Sequence, residues 1–120
     1  ADGDYLGGAI FPGVRVALEA LIQQTSQLRR VELAAPKSAI GRNTIAALQS
    51  GLVFGHVALV EGMISRFRKE LGEDTRAIAT GGLAELVTSQ TDIFYANNPD
   101  LTLIGLRMVY DMNSPGDIST

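Results

Sequence analysis

The sequence predicts an α/β fold, a mixed sheet packed with helices, and three observations carry that reading. Short apolar stretches bounded by glycine and proline alternate with longer segments in which apolar residues recur every three or four positions. Their order is strand, helix, helix, strand, helix, strand, helix, the alternation that layers helices on a sheet. The chain has 120 residues, 46% of them hydrophobic, which suits one compact domain with its own core and argues against disorder.

The first apolar stretch, 5–10, reads as a strand that Phe11-Pro12-Gly13 ends. Asp2-Gly3 before it has the composition of a type I′ hairpin turn, whose central residues both need positive φ. A hairpin needs a strand on each side, so one expectation is a chain whose first strands lie upstream; the other is a terminus that merely contains Asp-Gly. A helix is expected from about 12 to 27. Pro12 suits a first helical position, and Val14, Leu18, Leu21, Ile22 and Leu28 follow at helical spacing. Val31-Glu32-Leu33 is a short extended piece before Pro36.

Gly41-Arg42-Asn43-Thr44 opens a long helix that Asn43 or Thr44 can cap. Its apolar line is Ile45, Leu48, Leu52, Leu59, Met63, Phe67 and Leu71, and Gly72 closes it. Residues 76–80 read as a strand, Gly81-Gly82 as a turn, 83–89 as a helix and 93–95 as a further strand. Pro99-Asp100 starts a last helix carrying Leu103, Leu106, Val109 and Tyr110, and 113–120 has the composition of a frayed tail.

Composition excludes several function classes. A net charge of −3 gives no electrostatic reason to expect nucleic acid. The absence of cysteine excludes disulfides and thiolate metal sites and fits a reducing compartment. No apolar run approaches the roughly 20 residues of a membrane span, and Ala1 to Tyr5 lacks the character of a signal peptide, so the expectation is a cytoplasmic protein with neither membrane nor nucleic-acid partner.

Four features could carry chemistry. In Ile78-Ala79-Thr80-Gly81-Gly82-Leu83-Ala84 a strand ends, two glycines follow and a helix begins; the glycines either let a ligand approach the backbone or merely make a tight connection. In Ile40-Gly41-Arg42-Asn43-Thr44, orphan amides at a helix start lie beside an arginine fork and a hydroxyl, an anion or polar-ligand site unless Asn43 simply caps the helix and Arg42 is solvated. Gly51, Gly55 and Gly62 sit inside a helix, where each costs up to about 1 kcal/mol, so another backbone is expected against that face, within the domain or across a dimer. Gly7-Gly8 with Pro12-Gly13 reads as turn-making or as ligand contact. His56, the single histidine, reads as a packed or partly exposed helix residue. No metal-ligand spacing, nucleophile elbow, P-loop or Rossmann glycine pattern occurs, and Glu19, Glu61, Glu70, Glu73 and Asp74 read as solvated helix faces and ends.

Taken in order, Tyr5-Leu6-Gly7-Gly8-Ala9-Ile10 with Pro12-Gly13, Leu18-Glu19-Ala20-Leu21, Ile40-Gly41-Arg42-Asn43-Thr44 with Gln49-Ser50-Gly51, Ala79-Thr80-Gly81-Gly82-Leu83-Ala84, and Pro99-Asp100-Leu101-Thr102-Leu103 with Gly105-Leu106-Arg107 resemble the C-terminal half of bacterial type III pantothenate kinases. The resemblance runs from Asp2 to about Met112; each motif is weak alone and the ordered set is specific.

It implies one lobe of an actin-like (ribonuclease H-like) kinase fold, with residues 1–120 as the C-terminal lobe and the other lobe upstream. It implies a homodimer that moves the γ-phosphoryl group of ATP to the 4′-hydroxyl of pantothenate, the first step of coenzyme A synthesis, with a divalent metal such as magnesium and a monovalent cation (potassium or ammonium). Thr80, Gly81 and Gly82 match the adenosine motif. Thr44 matches the threonine that contacts pantothenate, with Arg42 and Asn43 beside it. The phosphate loops, the cation ligand and the general base of the family belong upstream of Asp2, so no catalytic residue and no metal ligand is expected here, and the isolated chain is expected to be inactive. Phe11, His56 and Ile104 depart from the family pattern without falling on a matched functional position. A non-catalytic dimerisation or regulatory module of the same family is the competing expectation. Another kinase or ATPase of the actin-like superfamily with a different substrate is the third, and Gly41-Arg42-Asn43-Thr44 argues against it.

Overall fold

A single helical rod, Thr44–Leu71, organises the molecule. The computed structural model describes residues 3–24 and 31–114. The expected turn residue Asp2, positions 25–27 and Leu28 of the expected first helix, and 115–120 of the expected tail lie outside the described residues.

Helix α1, Val14–Gln24, begins where the Gly13 carbonyl accepts the Ala17 amide at 3.0 Å, two residues later than the sequence suggests. The rod follows in three parts: α2, Thr44–Gln49; a π turn, Ser50–Phe54; and α3, Gly55–Leu71. Asn43 caps it, its side-chain oxygen accepting the Ala46 amide. In the π turn the Gly55 amide reaches back five residues to the Ser50 carbonyl, a local widening often found near functional sites. Gly72, at φ 110°, ends α3 by donating to the Arg68 carbonyl, a left-handed geometry that favours glycine.

Strands β1, Ile78–Ala79, and β2, Ala96–Asn97, pair in parallel, with Ile78 opposite Ala96 and Ala79 opposite Asn97. The amide of Tyr95 donates to Ala77 at 2.8 Å and that of Asn98 to Ala79 at 2.9 Å. Parallel strands need a crossover, supplied here by a connection containing α4, Ala84–Thr88. Arg76 stacks 4.4 Å over the Tyr95 ring just before the paired residues. Helix α5, Leu101–Asn113, follows β2.

The mixed helix and parallel-sheet composition agrees with the expected α/β class, and several expected elements are corrected. The stretch 5–10 is not a strand: it is exposed and pairs with nothing among the described residues, and an extended segment becomes a strand only when another backbone takes its N–H and C=O groups. The strand expected at 76–80 shrinks to Ile78–Ala79. The one expected at 93–95 lies later, at Ala96–Asn97, because Tyr95 enters the ladder through its amide alone. The helix expected at 83–89 is Ala84–Thr88. The rod, Thr44–Leu71, is long and apolar enough by length and composition to cross a membrane, contrary to the reading that no such run exists, and 17% of its most apolar window is buried inside the protein.

That core joins α1 to the rod. Val14, Leu18, Val31 and Leu52 form its centre, with Leu48, Leu83 and Leu86 partly buried around it. Val53 is completely buried, and Val57 and Ala79 nearly so. The rod's buried face is therefore Leu52, Val53 and Val57. Ile45, Leu59, Phe67 and Leu71 of the expected apolar line are exposed, as are Leu103, Leu106, Val109 and Tyr110 of α5. The radius of gyration is 19.0 Å, well above the roughly 14 Å of a compact domain of this length. Compactness expected from length is not observed, because α5 and 5–10 pack on little.

Candidate functional site

Two clefts flank the rod where α1 crosses it. The first, about 490 Å³, is lined by Ala17, Leu21, Thr44, Leu48, Gly51 and His56. It places the Thr44 hydroxyl at one end of an otherwise apolar trough. The second, about 840 Å³, holds Thr80, Gly81 and Gly82 on one side and Phe11, Gly13 and Phe94 on others. Its apolar walls and glycine turn suit a flat heteroaromatic ring. Gly81 has φ 99°, so only a residue without Cβ adopts this turn without strain, and its carbonyl accepts the Ala84 amide at 3.2 Å as α4 begins.

Arg42 and Asn43 do not join Thr44. They line a third cleft of about 380 Å³ with Pro36, Lys37 and Gln49. Two cations and no carboxylate face this cleft, so it favours an anion. Asn43 also serves the helix: its side-chain oxygen is used by the cap.

The loop before the rod is held from below. Gln49 Nε2 donates to the Glu32 carbonyl at 3.0 Å, and Ser50 Oγ to the Ala39 carbonyl at 2.5 Å. A Cβ on Gly41 would collide with the backbone of Ala46 and Ala47, so glycine here permits a close approach of loop to helix. Gln49, Ser50 and Gly41 thus act on the position of Arg42-Asn43-Thr44 without touching any cleft of Thr44.

His56 connects the two larger clefts, and sequence reasoning missed this. It lines both. Its Nδ1 lies 2.7 Å from the Leu52 carbonyl and its Nε2 3.1 Å from that of Pro12, 44 residues away. The first contact follows from i,i+4 helix spacing; no sequence signal announces the second. Phe11 as a cleft wall was equally illegible, because its role depends on how the coil before α1 lies against β1, whereas ligand contact was one of the two readings of Gly13. Among the described residues no group of three or more His, Cys, Asp or Glu side chains could hold a metal ion.

A sequence model of the type III pantothenate kinases matches residues 1–66, more than half of the chain. The chain belongs to the type III pantothenate kinase family. Three relatives so named support the membership. Those of Frankia alni and Roseiflexus sp. strain RS-1 are each 48% identical over 113 residues, covering 94% of this chain and 45% and 44% of the relative. That of Dehalococcoides mccartyi strain CBDB1 is 47% identical over 111 residues, covering 92% of this chain and 42% of the relative. Thr80-Gly81-Gly82 lies beyond the family-model match, yet inside alignments that cover so much of the chain. The chain spans less than half the length of the curated relatives it matches.

Proposed function

We propose that this chain is the C-terminal lobe of a type III pantothenate kinase of actin-like fold, which phosphorylates pantothenate to 4′-phosphopantothenate with ATP in coenzyme A synthesis. The supporting observation is that Thr44 and Thr80-Gly81-Gly82, the motifs matched to the two substrates, line neighbouring clefts that share His56 as a wall. In this reading the larger cleft receives adenosine between its apolar walls and the glycine turn. The Thr44 hydroxyl hydrogen-bonds pantothenate in the smaller cleft. Arg42 and Asn43 attract an anionic group at the adjoining rim.

Phosphoryl transfer depends on placing a nucleophile in line and neutralising charge on the phosphates. No carboxylate, lysine or arginine lines either larger cleft. These 120 residues therefore bind and orient rather than catalyse, and no step is assigned to a metal or monovalent cation, which remain expectations of the family. The protein acts in the cytoplasm as a homodimer.

A chimera tests the reading. These residues replace the matching part of the Roseiflexus relative, once that relative is shown to be active. The chimera should phosphorylate pantothenate with ATP. A folded chimera that binds neither substrate would refute the proposal. A non-catalytic dimerisation or regulatory module is the second reading, favoured by the open glycine face at Gly51, Gly55 and Gly62. It requires the chimera to dimerise without turnover.

A further inference from the structure

We propose that His56 is a positioning residue that locks the wall shared by the Thr44 cleft and the Thr80-Gly81-Gly82 cleft, and that only its doubly protonated ring closes the lock. Calling those clefts the pantothenate and adenosine subsites rests on the function proposed above; the lock itself does not.

Both ring nitrogens face carbonyl oxygens, that of Leu52 at 2.7 Å and that of Pro12 at 3.1 Å. Neither partner has a proton to give. An imidazolium donates from both nitrogens, whereas a neutral imidazole has one N–H and turns a lone pair toward the second carbonyl. The charged ring therefore joins two elements that the neutral ring can hold only one at a time. Leu52 belongs to the π turn, on the wall of the smaller cleft, and Pro12 lies between Phe11 and Gly13, on the wall of the larger.

Among the described residues no other titratable or charged side chain lines either cleft. On the neighbouring helices, Arg15 lines neither cleft, and the Glu61 carboxylate accepts the Thr91 hydroxyl at 2.6 Å. Losing one of the two hydrogen bonds releases the Phe11–Gly13 segment and loosens both clefts together.

The singly and doubly protonated rings are compared across a pH series, each state identified by its own ring-nitrogen signals. The ring nitrogens are followed by ¹⁵N NMR, and exchange of the Ala17 amide, which donates to the Gly13 carbonyl at 3.0 Å, is corrected for its intrinsic pH dependence. Protection at Ala17 should be about threefold to tenfold greater when both nitrogens carry protons, the value of one net hydrogen bond. His56→Phe keeps the ring volume without donors and should abolish that dependence. His56→Gln keeps one donor type without titrating and should give partial protection that does not change with pH. Affinities for pantothenate and ADP should weaken by the same factor toward alkaline pH, and only in the unmutated protein.

Equal Ala17 protection in both charge states, or the unmutated pH dependence in His56→Phe, would overturn the lock. Should His56→Phe fail to fold, His56→Gln and the unmutated protein decide. If Ala17 protection follows the ring charge while neither ligand binds, the functional reading fails and the lock stands.

Discussion

The side-chain oxygen of Asn43 accepts the Ala46 amide at 2.9 Å, which leaves the neighbouring Thr44 hydroxyl with no capping duty. The two residues should therefore respond differently to truncation. Asn43→Ala should cost about 1 kcal/mol of stability. Thr44→Ala should leave the melting temperature close to unchanged. In a protein of full family length it should raise the pantothenate KM up to about tenfold, the loss of one neutral hydrogen bond, with the ATP KM unmoved. A Thr44→Ala protein that melts early but keeps its pantothenate kinetics would reverse the assignment.

Gly41 and the rod meet backbone to backbone. Gly41→Ala should destabilise by about 3 kcal/mol or more in chemical denaturation, since the neighbours that must move are main-chain atoms of Ala46 and Ala47 rather than a flexible side chain. A midpoint within experimental scatter of the unmutated protein would contradict the close approach.

Gly81 and Gly82 separate conformation from access. Gly81 sits at φ 99° and should lose stability as alanine, by roughly 1–2 kcal/mol. Gly82 has no such backbone, and a Cβ there meets nothing within 4 Å. Gly82→Ala should fold normally and weaken only nucleotide binding. Unchanged ADP affinity in Gly82→Ala, measured by titration calorimetry, would remove Gly82 from the nucleotide side.

Gly51, Gly55 and Gly62 are exposed, and a Cβ at each meets empty space. Within one chain, then, Gly55→Ala should gain about 0.5–1 kcal/mol from helix propensity. If a second copy lies on that face, Gly55→Leu should split or weaken the dimer. Sedimentation velocity distinguishes the outcomes, an unchanged dimer mass in Gly55→Leu being the one that excludes this face.

These 120 residues, purified alone, should show no ATP-dependent phosphorylation of pantothenate above background. The clefts that hold the matched motifs carry no carboxylate, and the one titratable side chain that lines them, His56, has both ring nitrogens on backbone carbonyls. Robust turnover in a coupled assay would require a catalytic group that neither cleft displays.

What was legible in the sequence followed from local rules. The start at Asn43, the stop at Gly72 and the glycine turn at Gly81 are short-range chemistry, and each could be read from its own neighbours. What was not legible depended on distant partners. Residues 5–10 have strand composition and no pairing backbone among the described residues. Ile45 and Leu59 repeat at helical spacing yet face outward, because the core side of the rod is set by α1 through Val14 and Leu18. The candidate site divides the same way. Thr44, Thr80, Gly81 and Gly82 are candidates from ordered motifs that turn out to line clefts, while His56 and Phe11 needed the fold. Arg42 was found, though on a different cleft from Thr44.

Helix α5 has a consequence for how the molecule breathes. None of its residues is buried, and Leu103, Leu106, Met108 and Met112 each expose more than 60% of their surface. A 13-residue helix is marginal in water without packing. It should therefore open on its own, far below the free energy that unfolds the α1–rod core. Its amides should exchange first, ahead of those flanking Val53 by orders of magnitude, and each opening would leave a sticky, protease-sensitive ribbon on an otherwise intact protein.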